Sequence, residues 1–169
     1  MTNRAIFNRN YTEFTAGTTP VWLVNGGSAS SATGPITASF LAGETLVQGE
    51  CVYVSGQYCY PANAASSASP ADYQAVGFTA QAAPLPGNSV PVNLDGVVSI
   101  SDANIVAETQ LVAGEYYYLS SSPGQIVQYS TASGAITAAN GYAAVVNVGI
   151  AVSATELSVE IQPPVEIYN

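Results

Sequence analysis

Short runs of alternating apolar and polar residues, each closed by turn formers, recur along nearly the whole chain and leave little room for any fold but a β one. "PVWLV" (20–24), "CVYVS" (51–55), "SVPVNL" (89–94), "EYYYLS" (115–120), "GQIVQYS" (124–130), "YAAVVNVGIAV" (142–152) and "LSVEIQ" (157–162) are rich in β-branched and aromatic residues. Such residues suit a pleated, half-buried surface. Between the runs stand "NGGS", "SG", "LPGN", "LDG", "SPG", "ASG" and "NG", whose Gly, Asn, Asp and Pro supply the dihedrals that tight turns need. No window sustains apolar residues at helical spacing with caps at both ends. The best helical stretch, "ANAASSASPADYQA" (62–75), is loaded with Ser and interrupted by Pro70, so it reads as a loop with one helical turn. The expected class is all-β, a small barrel or sandwich body made of two related β units and preceded by an extended N-terminal arm.

The two units follow from a repeat. Leu46-Val47-Gln48-Gly49-Glu50 opens one and Leu111-Val112-Ala113-Gly114-Glu115 opens the other, each leading into a tyrosine-rich strand. Further along, "AVGFTAQ" (75–81) matches "NVGIAVS" (147–153), and "NSVPVNLDG" (88–96) matches "ELSVEIQPP" (156–164). Matching order with drifting spacing is what duplication followed by loop insertion leaves. Two copies are too few for a solenoid; they suit two pseudo-symmetric small barrels or one sandwich of two similar halves. Gly49 and Gly114 are placed to take positive φ where the chain turns sharply into a strand. Glu50 and Glu115 read as solvated strand starts, although a matched pair is also what a glycosidase would need within about 10 Å across one cleft.

Charge divides the chain differently. Only 8 % of residues are charged, there is no Lys or His, and both cations, Arg4 and Arg9, lie in the first ten residues. All eleven carboxylates follow, so the remainder carries a formal charge of −11. Nucleic acid and anionic membrane are therefore expected to be repelled. The opening "MTNRAIFNRNY" is cationic and aromatic, which suits a docking arm. There Ile6, Phe7, Tyr11 and Phe14 would bury apolar area while Arg4 and Arg9 pair with carboxylates on a partner; a frayed terminus is the plainer reading. Those eleven residues contain no continuous apolar stretch of signal-peptide type, and no run approaches the roughly 18 apolar residues that span a bilayer. Synthesis in the cytoplasm is the expectation.

Chemistry is hard to find. Without His, the Ser-His and Cys-His nucleophiles and any His metal site are excluded, and no phosphate loop can carry a Lys that the chain lacks. "NLDG" and "SDAN" read as isolated turns, not as calcium loops. No cofactor, metal site or catalytic residue is expected. Cys51 and Cys59 flank "VYVSGQY". A two-residue Ser55-Gly56 loop would place Val54 opposite Gln57 and Cys51 opposite Tyr60, with the thiols on opposite faces. A three-residue loop would set the two cysteines face to face. Two buried free thiols are the expectation. Tyr53, Tyr58, Tyr60, Tyr116, Tyr117 and Tyr118 cluster in equivalent strands, to serve either as a trimer or ligand surface or as core filler.

The segments "LVAGEYYYLSSSPGQIVQYS" and "NVGIAVSATELSVEIQPP" resemble a module of tailed-phage virion surface proteins: capsid decoration (cement) proteins, head fibres and tail fibres. The likeness covers residues 109–165 well and 46–96 more faintly. It implies a β-rich, non-enzymatic, usually trimeric structural piece. Among virion parts, the short chain lacks the collagen-like or heptad shaft of a fibre. It fits a decoration protein on the outer capsid surface, its arm on the major capsid protein, bridging capsomers and stabilising the shell. A head- or tail-fibre module gripping host glycan through its tyrosines is the alternative. A depolymerase using Glu50 and Glu115 comes third. On this reading residues 1–20 are the attachment arm and 21–45 a strand and Gly/Ser-rich loop leading into the body. Residues 46–108 form the first β unit and 109–169 the second.

Overall fold

The computed structural model describes residues 35–65, 67–106, 108–128 and 136–167, together with the backbone of three strands within 6–24. The fold is all-β, and among the described residues no helix reaches seven residues. The chain divides between Thr33 and Gly34. In the N-terminal unit, β1 (Ile6–Asn8), β2 (Tyr11–Thr15) and β3 (Pro20–Val24) form an antiparallel meander, with Ile6 opposite Glu13 and Glu13 opposite Trp22. The backbone expected as an extended arm is extended, but it folds back on itself. Pairing satisfies the N–H and C=O groups that a lone strand would leave bare.

The body carries the remaining strands: β4 (Ile36–Ala42), β5 (Cys51–Ser55), β6 (Tyr58–Pro61), β7 (Ala75–Thr79), β8 (Ser89–Ser99), β9 (Tyr116–Leu119), β10 (Ile126–Gln128), β11 (Ala144–Val145), β12 (Asn147–Ala151), β13 (Glu156–Val159) and β14 (Val165–Glu166). Nine of them make one sheet in the order β10-β9-β12-β13-β8-β4-β6-β5-β7, and β7 returns to pair with β8. That last pairing closes β8-β4-β6-β5-β7 into a five-stranded barrel. Its interior holds Ala42, Leu46, Val52, Cys59, Ala83, Val90 and Val92.

The second unit repeats the plan. β6-β5-β7-β8 corresponds strand for strand to β10-β9-β12-β13, antiparallel throughout. Where β4 runs parallel to β6, with Leu41 opposite Tyr58, Ile105 makes a parallel bridge to Ile126 of β10. A β-bulge recurs too. Val52 faces Gly77 and Tyr53 faces Ala75, skipping Val76; Tyr117 faces Gly149 and Tyr118 faces Asn147, skipping Val148. The closing strands match in a register other than the one suggested by "NSVPVNLDG" and "ELSVEIQPP". Phe78 faces Asn93 and Ile150 faces Ser158, so Asn93 and Ser158 are the equivalents.

β8 belongs to both units. Its first part pairs with β4, and Gly96–Ser99 pair with β13. Val90 and Val92 enter the barrel core, whereas Val98 enters the larger core with Ile100, Tyr117, Leu119, Val148 and Leu157. "LDG", expected as a turn, therefore lies inside an 11-residue strand. Partners on both edges keep the strand going where local sequence would stop it. The change of direction is absorbed by an irregularity opposite Ile36 and Thr37 and by Gly96 at φ +93°.

The bulge glycines are fixed by crowding. A Cβ on Gly77 would collide with the Asn93 carbonyl oxygen, and one on Gly149 with that of Ser158. Gly77→Ala and Gly149→Ala should each lower stability by roughly 1–3 kcal/mol in urea denaturation. Gly114→Ala, with open space around its Cβ, should incur only the milder cost of its positive φ.

Candidate functional site

The repeated Leu-Val-x-Gly-Glu phrase makes the same turn twice. Gly49 N–H donates to Thr79 O (2.9 Å) and Gly114 N–H to Ala151 O (2.8 Å); Thr79 and Ala151 donate back to the carbonyls of Glu50 and Glu115, both at 2.9 Å. Both glycines take positive φ, +81° and +88°. Leu46 and Leu111 are buried, each contributing roughly 2 kcal/mol by leaving water. The units differ in how they satisfy the next amide. Val47 N–H donates to Glu50 Oε2 (2.8 Å), whereas Val112 N–H donates to the Tyr117 hydroxyl (2.9 Å). Glu50 is thus a turn-closing acceptor packed against Gly124, where the sequence suggested a solvated strand start. Burial pushes its pKa up, the Val47 hydrogen bond pulls it down, and the charge of Glu44 adds to the rise.

The six candidate tyrosines separate. Tyr58 and Tyr116 are exposed; Tyr53, Tyr60 and Tyr118 are half-buried. Tyr117 is wholly buried and so is corrected from surface contact to core. Its ring points inward because its place on β9 matches that of Val52, which fills the barrel. The hydroxyl reaches Val112 N and lies 3.4 Å from Glu108 Oε2. Of the arm residues, Ile6 and Phe7 lie on β1 and Tyr11 and Phe14 on β2; Arg4 and Arg9 lie outside the described residues.

Both cysteines are free and buried. The hairpin loop is Gly56-Gln57, with Ser55 facing Tyr58 and Val54 facing Cys59, one residue beyond the expected Ser55-Gly56. Gly56 takes positive φ (+61°), which selects that loop. The thiols still point apart, Cys51 into the larger core and Cys59 into the barrel. Burial pushes the Cys51 thiol up to about 12 and raises Cys59 as well. Neither is poised as a nucleophile.

Where the units meet, a hollow of about 190 Å³ opens beside the barrel. Tyr53 on β5 faces Tyr60 on β6, and their rings stack at 5.5 Å between centroids and 24° between planes. Tyr60 lies against Gly43, where a Cβ would strike the ring. Glu44, Pro61, Asn63, Asp72 and Pro123 complete the lining. Asp72 accepts hydrogen bonds from Ser69 N and Ser69 Oγ, both at 2.9 Å, and from Tyr53. Burial raises its carboxyl, but these bonds outweigh it and hold the group below its usual range. Burial, then the bond to Asp72 and its charge, push the Tyr53 phenol up to about 12, so Tyr53 stays protonated and donates. Asn63 Oδ1 accepts from Ala65 N at 3.1 Å. Glu44, Asn63 and Asp72 carry no sequence motif. Only the stretch 62–75, read as a loop, marks where two of them lie.

A second groove, of about 400 Å³, runs between Val47-Gln48 and residues 99–103. Among the described residues no three His, Cys, Asp or Glu side chains converge as a metal site, and no helix is long and apolar enough to cross a membrane. No protein-family model matches the chain, and no curated protein aligns with it.

The Glu50 geometry carries a pH signature. A carboxyl whose folded pKa is raised destabilises the fold once ionised, and the penalty lifts as pH falls through that pKa toward the unfolded value. Glu50→Gln keeps an acceptor for Val47 N–H but does not titrate. The stability of the parent relative to Glu50→Gln should therefore rise as pH is lowered from neutral toward the ordinary glutamate value of about 4.3, measured by thermal unfolding of both proteins side by side.

Proposed function

We propose that this protein is a non-enzymatic structural component of a phage virion that binds the outer capsid surface, bridges capsomers and stabilises the shell as a homotrimer. The observation that carries the reading is the division of the chain. An N-terminal unit, residues 1–33, contains both cations and one carboxylate, Glu13, and precedes a body that holds every other carboxylate and no cation. A cationic, aromatic-bearing module followed by an acidic β body suits attachment at one end and display at the other. The likeness of residues 109–165 to virion surface modules supports the same reading. Bridging would act by linkage, since a ligand that binds only the assembled shell shifts the equilibrium toward it. Three weak attachments on one trimer would reinforce each other. The acidic bodies would repel neighbouring particles and keep them dispersed.

A receptor-gripping fibre module is the second reading, favoured by the stacked tyrosines at the unit junction. The two readings separate in one experiment. Shells lacking the protein should be coated by the full chain, and coating should fall at least tenfold on deletion of residues 1–14 or on the double change Arg4→Glu, Arg9→Glu. The coated shells should also withstand heating that opens bare ones. Undiminished coating by either variant would refute the docking arm. Sedimentation of the free protein at the mass of a single chain would refute the trimer.

A further inference from the structure

The hollow at the unit junction has a composition that the scaffold does not require. On β9 and β10 the places of Tyr53 and Tyr60 are taken by Tyr118 and Val127, which face each other just as the two tyrosines do. At that place the second unit pairs a tyrosine with a valine, so the stack in the first unit is not a condition of this strand pairing.

Three kinds of group converge around the stack. The stacked rings of Tyr53 and Tyr60 form one side of a lining that is more polar than apolar. Asp72, held by Ser69 and Tyr53, presents a fixed carboxylate, with Glu44 as a second acceptor on the rim. Asn63 offers amide donors, its oxygen being engaged by Ala65 N. An aromatic wall with acceptors and a donor suits a ligand whose apolar face lies on the ring while its hydroxyls both give and receive hydrogen bonds. The lining contains no cation, which disfavours anions. The volume, about 190 Å³, is below the roughly 300–1,000 Å³ of pockets for drug-sized ligands and suits a single ring.

We propose that the Tyr53–Tyr60 hollow binds one neutral pyranose ring of a saccharide, stacked on the tyrosine wall with its hydroxyls on Asp72, Glu44 and Asn63. The inference rests on the hollow's own geometry, so failure of shell binding would leave it standing. A cationic side chain is the competing occupant, since carboxylates beside aromatic faces also attract ammonium and guanidinium groups. The amide donors of Asn63 favour the sugar, because a cation has no acceptor to offer them.

The test is an NMR chemical-shift titration of the full-length protein with the neutral methyl glycosides of glucose, galactose, mannose and N-acetylglucosamine. Methyl glucuronide and N-acetyl-arginine amide are titrated alongside. At least one neutral glycoside should shift the resonances of Tyr53, Tyr60 and Asn63 with a Kd on the order of 1 mM, and the glucuronide should bind about tenfold more weakly. Asp72→Asn should weaken the sugar about tenfold. Glu44→Gln, at an exposed position, should weaken it severalfold even if the first variant is destabilised. Absence of shifts at the hollow with all four glycosides would overturn the proposal. So would tighter binding of the arginine derivative, or sugar binding indifferent to both substitutions.

Discussion

Hydrogen bonding along both edges of β8 holds this body together. Its first part is bonded to β4 on one side and to β7 on the other, which closes the barrel; its last four residues are bonded to β13, which starts the second unit. Its side chains reach both cores in turn, Val90 and Val92 into one and Val98 into the other. The barrel wall is shared as well. Val52 points into the barrel, while Cys51 on the same strand points into the core it shares with β9, β12 and β13. Neither unit could be removed without stripping the other of part of its interior. Two units of like strand plan thus close as one body.

Within that body the two copies keep backbone geometry more faithfully than side chains. The bulge opposite β5 and β9, the glycine at each, and the reciprocal bonds of each Gly-Glu turn recur residue for residue. What changes is how leftover polar groups are met. Val47 and Val112 occupy the same place and expose the same amide, yet one is met by a carboxylate from its own turn and the other by a phenol from the core strand. Because one acceptor satisfies one amide, either solution is sufficient. Once Tyr117 supplies it, Glu115 is released from the task that Glu50 performs. The doubled glutamates thus look like a matched pair in sequence and have different work in the structure.

This explains what could be read from the chain and what could not. Strand positions, the class of fold and the repeat were legible because they depend on period and on turn residues, which are local. The opposite orientation of Cys51 and Cys59 survived a one-residue error in the hairpin loop, since the thiols point apart in either register. Properties that depend on a distant partner were not legible. "LDG" has the composition of a turn and becomes strand because β4 and β13 pair through it. Tyr117 sits between two tyrosines that resemble it and is the one wholly buried, because alternation along β9 places it where Val52 stands in the barrel. Asp72 gave no signal at all. Its role depends on Ser69 and Tyr53 meeting it across a loop whose composition promised only irregular structure.

The hollow adds a constraint on how such a protein diverges. Its walls come from β5, β6, the loop after β6 and the turn containing Pro123 in the second unit, so it exists only where the two units meet. The first unit alone would lack the side that Pro123 supplies. At the equivalent place in the second unit Val127 stands where the first has its second tyrosine. The seam between two units of like plan is therefore set apart from the positions that the two repeat in common. Side chains there are released from the packing demands that keep the bulge glycines and turn leucines alike. Specific chemistry can accumulate at that seam at little cost to the fold, and an aromatic pair braced by a fixed carboxylate is what this chain has accumulated.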